Sequence, residues 1–477
     1  MTRARTLRLI LFAAACVSAS LPAIATAQER KPNIVIFLAD DLGYQDTGPY
    51  GDKTVRTPNL DRLAKEGVAF DQAFVASPAC APSRAALLTG LMPARTGAEA
   101  NPSEPRSWVR KLPSYLQEQG YEVVAFGKVS HYQQTAQYGF DHFEHDTFHD
   151  PEGIPSSIRW LKARNSSKPL AIFVGSNWPH VPWPATTEGY DPSAVKLPAL
   201  AVDTPITRTA RAQYDAAVTR MDSELGSVLD TVDRTLGKNT IVLFSSDHGA
   251  QWPFAKWNLY DAGIRVPMIV RWAGTVRPGM RTDAMVSWID ILPTLVDMAG
   301  GKPPVDIDGK SFAPLLRGTA PGHRDAIFTT HDNDQYVNVY PMRSVRTGRW
   351  KYIRNLHPDY VYTTHIDQFV QRPGRGNFFP SWREAAMRDP AAKKIVARYY
   401  HRPAEELYDL KADPDERVNL AGDKKYSATL EDLRTRLEAW RNDQGDTVRV
   451  KETPHLKEGP IGGAPDPQVQ DKAKVTK

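Results

Sequence analysis

Asn33-Ile34-Val35-Ile36-Phe37-Leu38-Ala39-Asp40-Asp41 is an apolar run that ends in two carboxylates. It is rich in β-branched residues and does not alternate with polar ones, so both faces suit burial, as in a strand inside a parallel sheet. The acids fall at its carboxyl end, the edge of an open α/β sheet where ligands bind. Adjacent aspartates repel unless a cation or hydrogen-bond donors lie between them. Read alone, a solvated Asp-Asp corner is the commoner explanation.

The same texture returns three times, each time followed by groups that can do chemistry. Tyr121-Glu122-Val123-Val124-Ala125-Phe126 runs into Gly127-Lys128-Val129-Ser130-His131. Leu170-Ala171-Ile172-Phe173-Val174-Gly175 is followed by Trp178-Pro179-His180-Val181-Pro182-Trp183, and Thr240-Ile241-Val242-Leu243-Phe244 by Ser245-Ser246-Asp247-His248-Gly249. Helices are expected over 57–67, 112–119 and 203–230, the last with Tyr214, Val218, Met221, Leu225 and Val228 as a core-facing stripe. Asp222 on that helix suits packing or hydrogen bonding rather than catalysis. Lys256 precedes a fifth strand, 266–270, and a helix over 287–295 receives no chemistry.

A lone Lys or His in a loop is usually solvated, and His180 among aromatics serves equally well as a structural residue. A doubly wound sheet, however, carries Asp40, Asp41, Lys128, His180, Asp247 and His248 to one rim. Hard carboxylates, a fixed cation at Lys128 and proton carriers at His131 and His180 then describe a site for a divalent metal and a tetrahedral oxyanion. His248 is an unusual ligand for calcium, which prefers oxygen.

Ser77-Pro78-Ala79-Cys80-Ala81-Pro82-Ser83-Arg84 leads into Ala85-Ala86-Leu87-Leu88-Thr89-Gly90, a short helix with Pro82 in its first turn and Gly90 at its exit. Cys80 sits where helix amides and Arg84 favour negative charge. Packing beside a helix start is the plain alternative. The other cysteine, Cys16, lies in a leader with Arg3, Arg5 and Arg8, an apolar run from Leu9 to Val17 and Ala25-Thr26-Ala27 as cleavage site. The protein is therefore expected to be periplasmic or secreted, cut after Ala27, and left with one thiol and no internal disulfide. The formal charge of +5 includes those three arginines. The near balance that remains gives no support to a nucleic-acid partner, and no later stretch is apolar and long enough for a membrane span.

Cys80-Ala81-Pro82-Ser83-Arg84 with Leu87-Leu88-Thr89-Gly90, preceded by Asp40-Asp41-Leu42-Gly43-Tyr44, resembles the type I, formylglycine-dependent sulfatases. The resemblance reaches Glu406-Leu407-Tyr408-Asp409, nearly the whole mature chain. It implies an alkaline-phosphatase-like α/β fold: a doubly wound, mostly parallel sheet with a smaller C-terminal α+β subdomain carrying an antiparallel sheet. It implies conversion of Cys80 to formylglycine (3-oxoalanine) by a formylglycine-generating or anaerobic sulfatase-maturating enzyme. One calcium ion would be held by Asp40, Asp41, Asp247, His248 and the modified Cys80. Arg84 would hold the aldehyde hydrate, Lys128, His180 and Lys256 would grip sulfate, and His131 would move a proton. The substrate would be a sulfated sugar or oligosaccharide, attacked from its end.

The Gly-Lys-Val-x-His spacing and His248 are similar to iduronate-2-sulfatase-like bacterial enzymes. Tyr340-Pro341-Met342-Arg343 is similar to the heparan N-sulfatases (sulfamidases). Those enzymes have Arg where Lys256 stands, Asn where His248 stands and an acid where Gln335 or Asp334 stands, so an O-sulfatase acting on a uronate-containing or algal glycan such as ulvan competes with an N-sulfatase. A phosphodiesterase or phosphonate monoester hydrolase of the same superfamily, and a non-catalytic sulfated-glycan-binding protein, are the other classes. The expected divisions are leader 1–27, catalytic domain 28–340, C-terminal subdomain 341–446 and a mobile tail 447–477.

Overall fold

The computed structural model describes residues 31–145, 149–370, 377–447, 450 and 452–460. The expected leader lies outside the described residues. In chain order the first layer contains β1 (Asn33–Ala39), α1 (Pro58–Glu66), β2 (Val68–Phe74), α2 (Cys80–Thr89), α3 (Leu112–Glu118), β3 (Glu122–Gly127), β4 (His142–Glu144), α4 (Gly153–Ala163), β5 (Leu170–Gly175), α5 (Pro205–Thr235) and β6 (Thr240–Ser246). It continues with β7 (Arg265–Trp272), β8 (Met280–Thr282), β9 (Val286–Ser287) and α6 (Ile291–Met298).

The strands form one sheet in the order β4-β3-β5-β1-β6-β7-β2-β8, with β9 on β2. β1 pairs in parallel with both β5 and β6, and β3 in parallel with β5. The four apolar runs thus stand side by side, buried along almost their whole length, as their lack of alternation requires. The fifth expected strand, β7, runs antiparallel to β6 and β2. β2 lies between β7 and β8 and runs into the cysteine stretch.

The expected helix stripe is core: Tyr214, Val218, Met221, Leu225 and Val228 are fully buried. Asp222 on α5 accepts Leu60 N–H at 2.8 Å, Asn59 N–H at 3.1 Å and Asn59 Nδ2 at 2.9 Å, so it caps the first turn of α1.

A second sheet, antiparallel, is built from β10 (Ala326–Asp334), β11 (Asn338–Thr347), β12 (Trp350–Asn355) and β13 (Glu405–Asp409). Between β12 and β13 lie α7 (Phe379–Ala386) and α8 (Pro390–Tyr400), and α9 (Ser427–Gln444) follows. Leu430, Leu433 and Leu437 of α9 pack on Val345, Tyr352 and Leu407. This sheet starts at Ala326, before the expected boundary at 340/341, and β10 is tied to the cysteine lead-in by Thr330 N–H to Ala76 O at 3.0 Å. Within the expected mobile tail, residues 452–460 instead lie against the body: His455 O accepts Val361 N–H at 2.8 Å and Gly459 O accepts Gln368 Nε2 at 3.0 Å. No helix among the described residues is long and apolar enough to cross a membrane.

Replacing Asp222 with Ala leaves the α1 amides without acceptors in a buried place, and a loss of roughly 2 kcal/mol is expected from a cap of this kind. Denaturant titration measures it. Unchanged stability would show that the α1 end is satisfied in another way.

Candidate active site

The sheet edge is built by glycines that let chains approach. Gly127 ends β3 at φ +67°, where a Cβ would lie 2.2 Å from Gly175 O, and a Cβ on Gly175 would lie 2.1 Å from Lys128 O. Only glycine at both positions allows the Lys128 turn to cross the end of β5. Two residues past β1 stands Asp41 at φ 66°, a left-handed turn that aspartate tolerates better than most residues. Its N–H donates to Asp247 Oδ1 at 3.1 Å, binding the ends of β1 and β6 together. Behind them the Tyr214 hydroxyl accepts Gly43 N–H at 3.0 Å.

α2 is buried over its full length and ends at Gly90, φ 68°, whose N–H returns to Ala86 O at 2.9 Å. Its first residue is Cys80. The Sγ atom lies 3.3 Å from His248 Nε2, 3.7 Å from Lys128 Nζ and 3.9 Å from Asp40 Oδ1. One turn on, Arg84 donates through Nε to Asp247 Oδ2 at 3.0 Å, through Nη2 to Asp40 Oδ1 at 3.2 Å and through Nη1 to Lys128 O. The Lys128 ammonium sits 2.6 Å from Asp40 Oδ2, and the Lys256 ammonium 2.9 and 2.8 Å from the two Asp41 oxygens. His180 Nε2 is 3.9 Å from Asp41 Oδ2.

The strand ends and α2 therefore bring Asp40, Asp41, Cys80, Arg84, Lys128, His180, Asp247, His248 and Lys256 together, none more than 2 % exposed. His131 stands one step away, its ring 4.5 Å from that of Tyr132, whose hydroxyl lies 3.2 Å from Lys128 Nζ.

Three carboxylates face three cations in this pocket. Burial alone would raise Asp40, but Lys128 and Arg84 hold it well below the usual carboxylate range. Burial pushes Asp41 up to about 7; Lys256 opposes the rise, and Asp40 and Asp247 add to it. Burial also pulls His248 down to about 4, and its Nδ1 lies 3.0 Å from Gly249 O. That carbonyl holds the proton on Nδ1, so the Nε2 lone pair faces Cys80, Asp41 and Asp247. His180 is lowered well below the usual range by burial and by Lys128 and Lys256, and its Nδ1 lies 2.6 Å from Val181 O.

One donor atom each from Asp41, Cys80, Asp247 and His248 lies within 4.8 Å of all the others, a cluster fit to hold a cation. Asp40 is beside this cluster rather than in it, taken up by Lys128 and Arg84. With oxygen in place of sulfur at position 80 the set is mostly hard and suits calcium, with His248 the one softer donor.

Asn101, Asp334 and His149 build the wall around these groups. Asn101 Oδ1 accepts the Ala81 N–H at 3.0 Å, and its Nδ2 donates to Asp334 Oδ2 at 2.9 Å. Asp334 Oδ2 also accepts Trp257 Nε1 at 2.7 Å, so the second sheet braces both the cysteine helix and the Lys256 loop. His149 Nε2 lies 3.1 Å from His180 Nδ1. Of these only Asp334 is marked in the sequence, as a candidate for the acid upstream of Tyr340-Pro341-Met342-Arg343; Asn101 and His149 carry no local signal.

The family model described as Sulfatase matches residues 32–301, and one described as N-sulphoglucosamine sulphohydrolase, C-terminal, matches 248–367. An ulvan-active sulfatase of Formosa agariphila is 33 % identical over 434 residues, 89 % of this chain and 82 % of that protein. Human N-sulphoglucosamine sulphohydrolase is 28 % identical over 492 residues, covering 90 % of this chain and 93 % of its own. The crystal structure of a putative sulfatase from Bacteroides thetaiotaomicron superposes with a TM-score of 0.66 at 27 % identity, over 90 % of this chain and 99 % of that one. The likeness spans the strand ends that build the pocket and continues into the antiparallel sheet, and on it the chain belongs to the sulfatase family and is a sulfuric ester hydrolase.

Proposed function

We propose that the protein removes sulfate from the end of a sulfated glycan, using formylglycine made from Cys80 and a bound calcium ion. The observation that carries this reading is the position of Cys80 Sγ at the first residue of a buried helix, within reach of His248, Lys128 and Asp40. Asp41, Asp247, His248 and an oxygen at position 80, with Asp40 alongside, would hold the ion. Bound there, calcium would act as a Lewis acid and tip a pocket of matched charges to net positive, suited to an anionic ester. The converted side chain, as its hydrate, would supply one hydroxyl that gives its proton to solvent and attacks sulfur as the bond from sulfur to the sugar breaks, and a second whose deprotonation re-forms the aldehyde and expels sulfate.

The remaining residues act by position. Arg84 is fixed by Asp40, Asp247 and Lys128 O, so it orients the hydrate without moving. Lys128 and Lys256 rest on Asp40 and Asp41, and a cation sharing those carboxylates would leave part of both ammonium charges for the sulfate oxygens. His180, held by Val181 O through Nδ1, presents Nε2 to the leaving sugar oxygen and rests neutral between two lysines. The arriving sulfate offsets those lysines and restores the proton that His180 delivers. His131 receives the proton of the second hydroxyl.

The burial of every reacting group is in keeping with action at a chain end, where a terminal unit is the easiest to admit. The named relatives support a sulfated glycan as substrate, an ulvan or a heparan-type chain. Residues 1–27 would direct export, and a maturation enzyme would oxidise Cys80.

Sulfate release from a panel of defined N- and O-sulfated heparin disaccharides and ulvan oligosaccharides tests the reading, with an aryl phosphodiester beside them. At least one sulfated sugar is expected to turn over well above the phosphodiester, and the peptide containing Cys80 is expected to show aldehyde in place of thiol by mass. Cys80→Ala should lose more than about 10³-fold in kcat, since the nucleophile itself is gone. A variant that keeps its activity would instead leave a glycan-binding protein. Dialysis against a calcium chelator should abolish turnover and added calcium restore it; activity indifferent to the chelator would remove the ion from the mechanism.

A further inference from the structure

The donor cluster has a second chemistry, one that belongs to the chain before conversion. As synthesised, position 80 offers sulfur, and the four donors are then a thiol, an imidazole nitrogen and two carboxylates. Tetrahedral zinc, with bonds of about 2.3 Å to sulfur and about 2.0–2.2 Å to nitrogen and oxygen, sets its ligand atoms roughly 3.4–3.6 Å apart. His248 Nε2 lies 3.3 Å from Cys80 Sγ, 3.5 Å from Asp41 Oδ1 and 3.5 Å from Asp247 Oδ2. These three separations, the ones that meet at His248 Nε2, are within a few tenths of an ångström of a tetrahedron's edges, and the other donor pairs lie within 4.8 Å.

We propose that the unconverted chain holds one transition-metal ion of the zinc class on Cys80 Sγ, His248 Nε2, Asp41 and Asp247, and that conversion of Cys80 changes the metal the pocket selects. The inference rests on the proposed function only in taking Cys80 as the converted residue.

The surroundings are those of a built site. Each ligand is oriented by a neighbour: His248 by Gly249 O, Asp247 by Arg84 Nε at 3.0 Å, Asp41 by Lys256 at 2.8 Å through Oδ2. Lys256 Nζ lies 2.9 Å from Asp41 Oδ1 and 2.8 Å from Oδ2, so with Oδ1 on the metal Oδ2 would keep the ammonium partner. As the metal–sulfur bond forms, the thiol gives its proton to solvent. The resulting thiolate has Lys128 Nζ 3.7 Å away, and Arg84 and Lys256 offset the one negative charge by which the ligands exceed a divalent ion. Sulfur and imidazole favour zinc-class ions over calcium, which takes oxygen. Replacing the sulfur by the oxygens of a hydrated aldehyde reverses that preference.

The test uses full-length protein produced without conversion, with the thiol at Cys80 verified by peptide mass, and Co²⁺ alone as probe. One Co²⁺ per chain is expected, with a thiolate-to-cobalt charge-transfer band and the intense visible absorption of a tetrahedral site, both removed by added Zn²⁺. Cys80→Ser should lose the charge-transfer band. His248→Asn should weaken Co²⁺ binding on the order of 100-fold or more, since it removes a direct ligand where loss of an outer partner already costs about 10–100-fold. Converted protein should show no such band and bind Ca²⁺. Failure to bind stoichiometric Co²⁺, a weak six-coordinate spectrum, or the same band in Cys80→Ser overturns the proposal. Sulfate release by converted protein is a separate measurement, so a cobalt site in a chain that never turns over sulfate would overturn the glycan reading and leave this one standing.

Discussion

Neutralisation of buried like charges organises this molecule. Asp40, Asp41 and Asp247 arrive at one place from two adjacent strands and are all but excluded from water. Buried ions survive only when paired and hydrogen-bonded. Arg84, Lys128 and Lys256 do the pairing, and each comes from a different part of the chain. The glycine pair at Gly127 and Gly175, the left-handed Asp41 and the fully buried α2 are the backbone conditions under which those cations reach their partners.

The same balance makes the pocket responsive. A divalent ion on the carboxylates would displace positive charge toward an incoming anion, so under the proposed function ion binding and sulfate recognition would share one set of side chains. His248 extends this economy, because the hydrogen bond to Gly249 O leaves it with a lone pair for a metal whatever atom stands at position 80. The identity of that atom then decides which ions the pocket prefers.

The second sheet contributes walls rather than charge partners. Its first strand meets the cysteine lead-in at Ala76, and Asp334 at that strand's end holds Asn101 and Trp257. The segment between β12 and β13 packs Phe378 onto Trp252, in the loop that carries Lys256, with ring centroids 4.7 Å apart. These contacts tie the loops that carry Asn101 and Lys256 to the second sheet and to the segment before α7.

Much of this was legible in the residues themselves. The uninterrupted apolar runs declared buried parallel strands, and the polar groups directly after them declared a shared rim, because period and position are local properties of a chain. Cys80 and Arg84 were readable as a helix turn for the same reason, and Asp222 as a hydrogen-bonding residue. The antiparallel direction of β7, the start of the second sheet at Ala326, the separation of Asp40 from the donor cluster, and the roles of Asn101, His149 and Asp334 were decided only in three dimensions. Each depends on pairing between segments far apart in sequence, where the competition among neighbouring charges and donors is settled by distances that no local pattern of residues records.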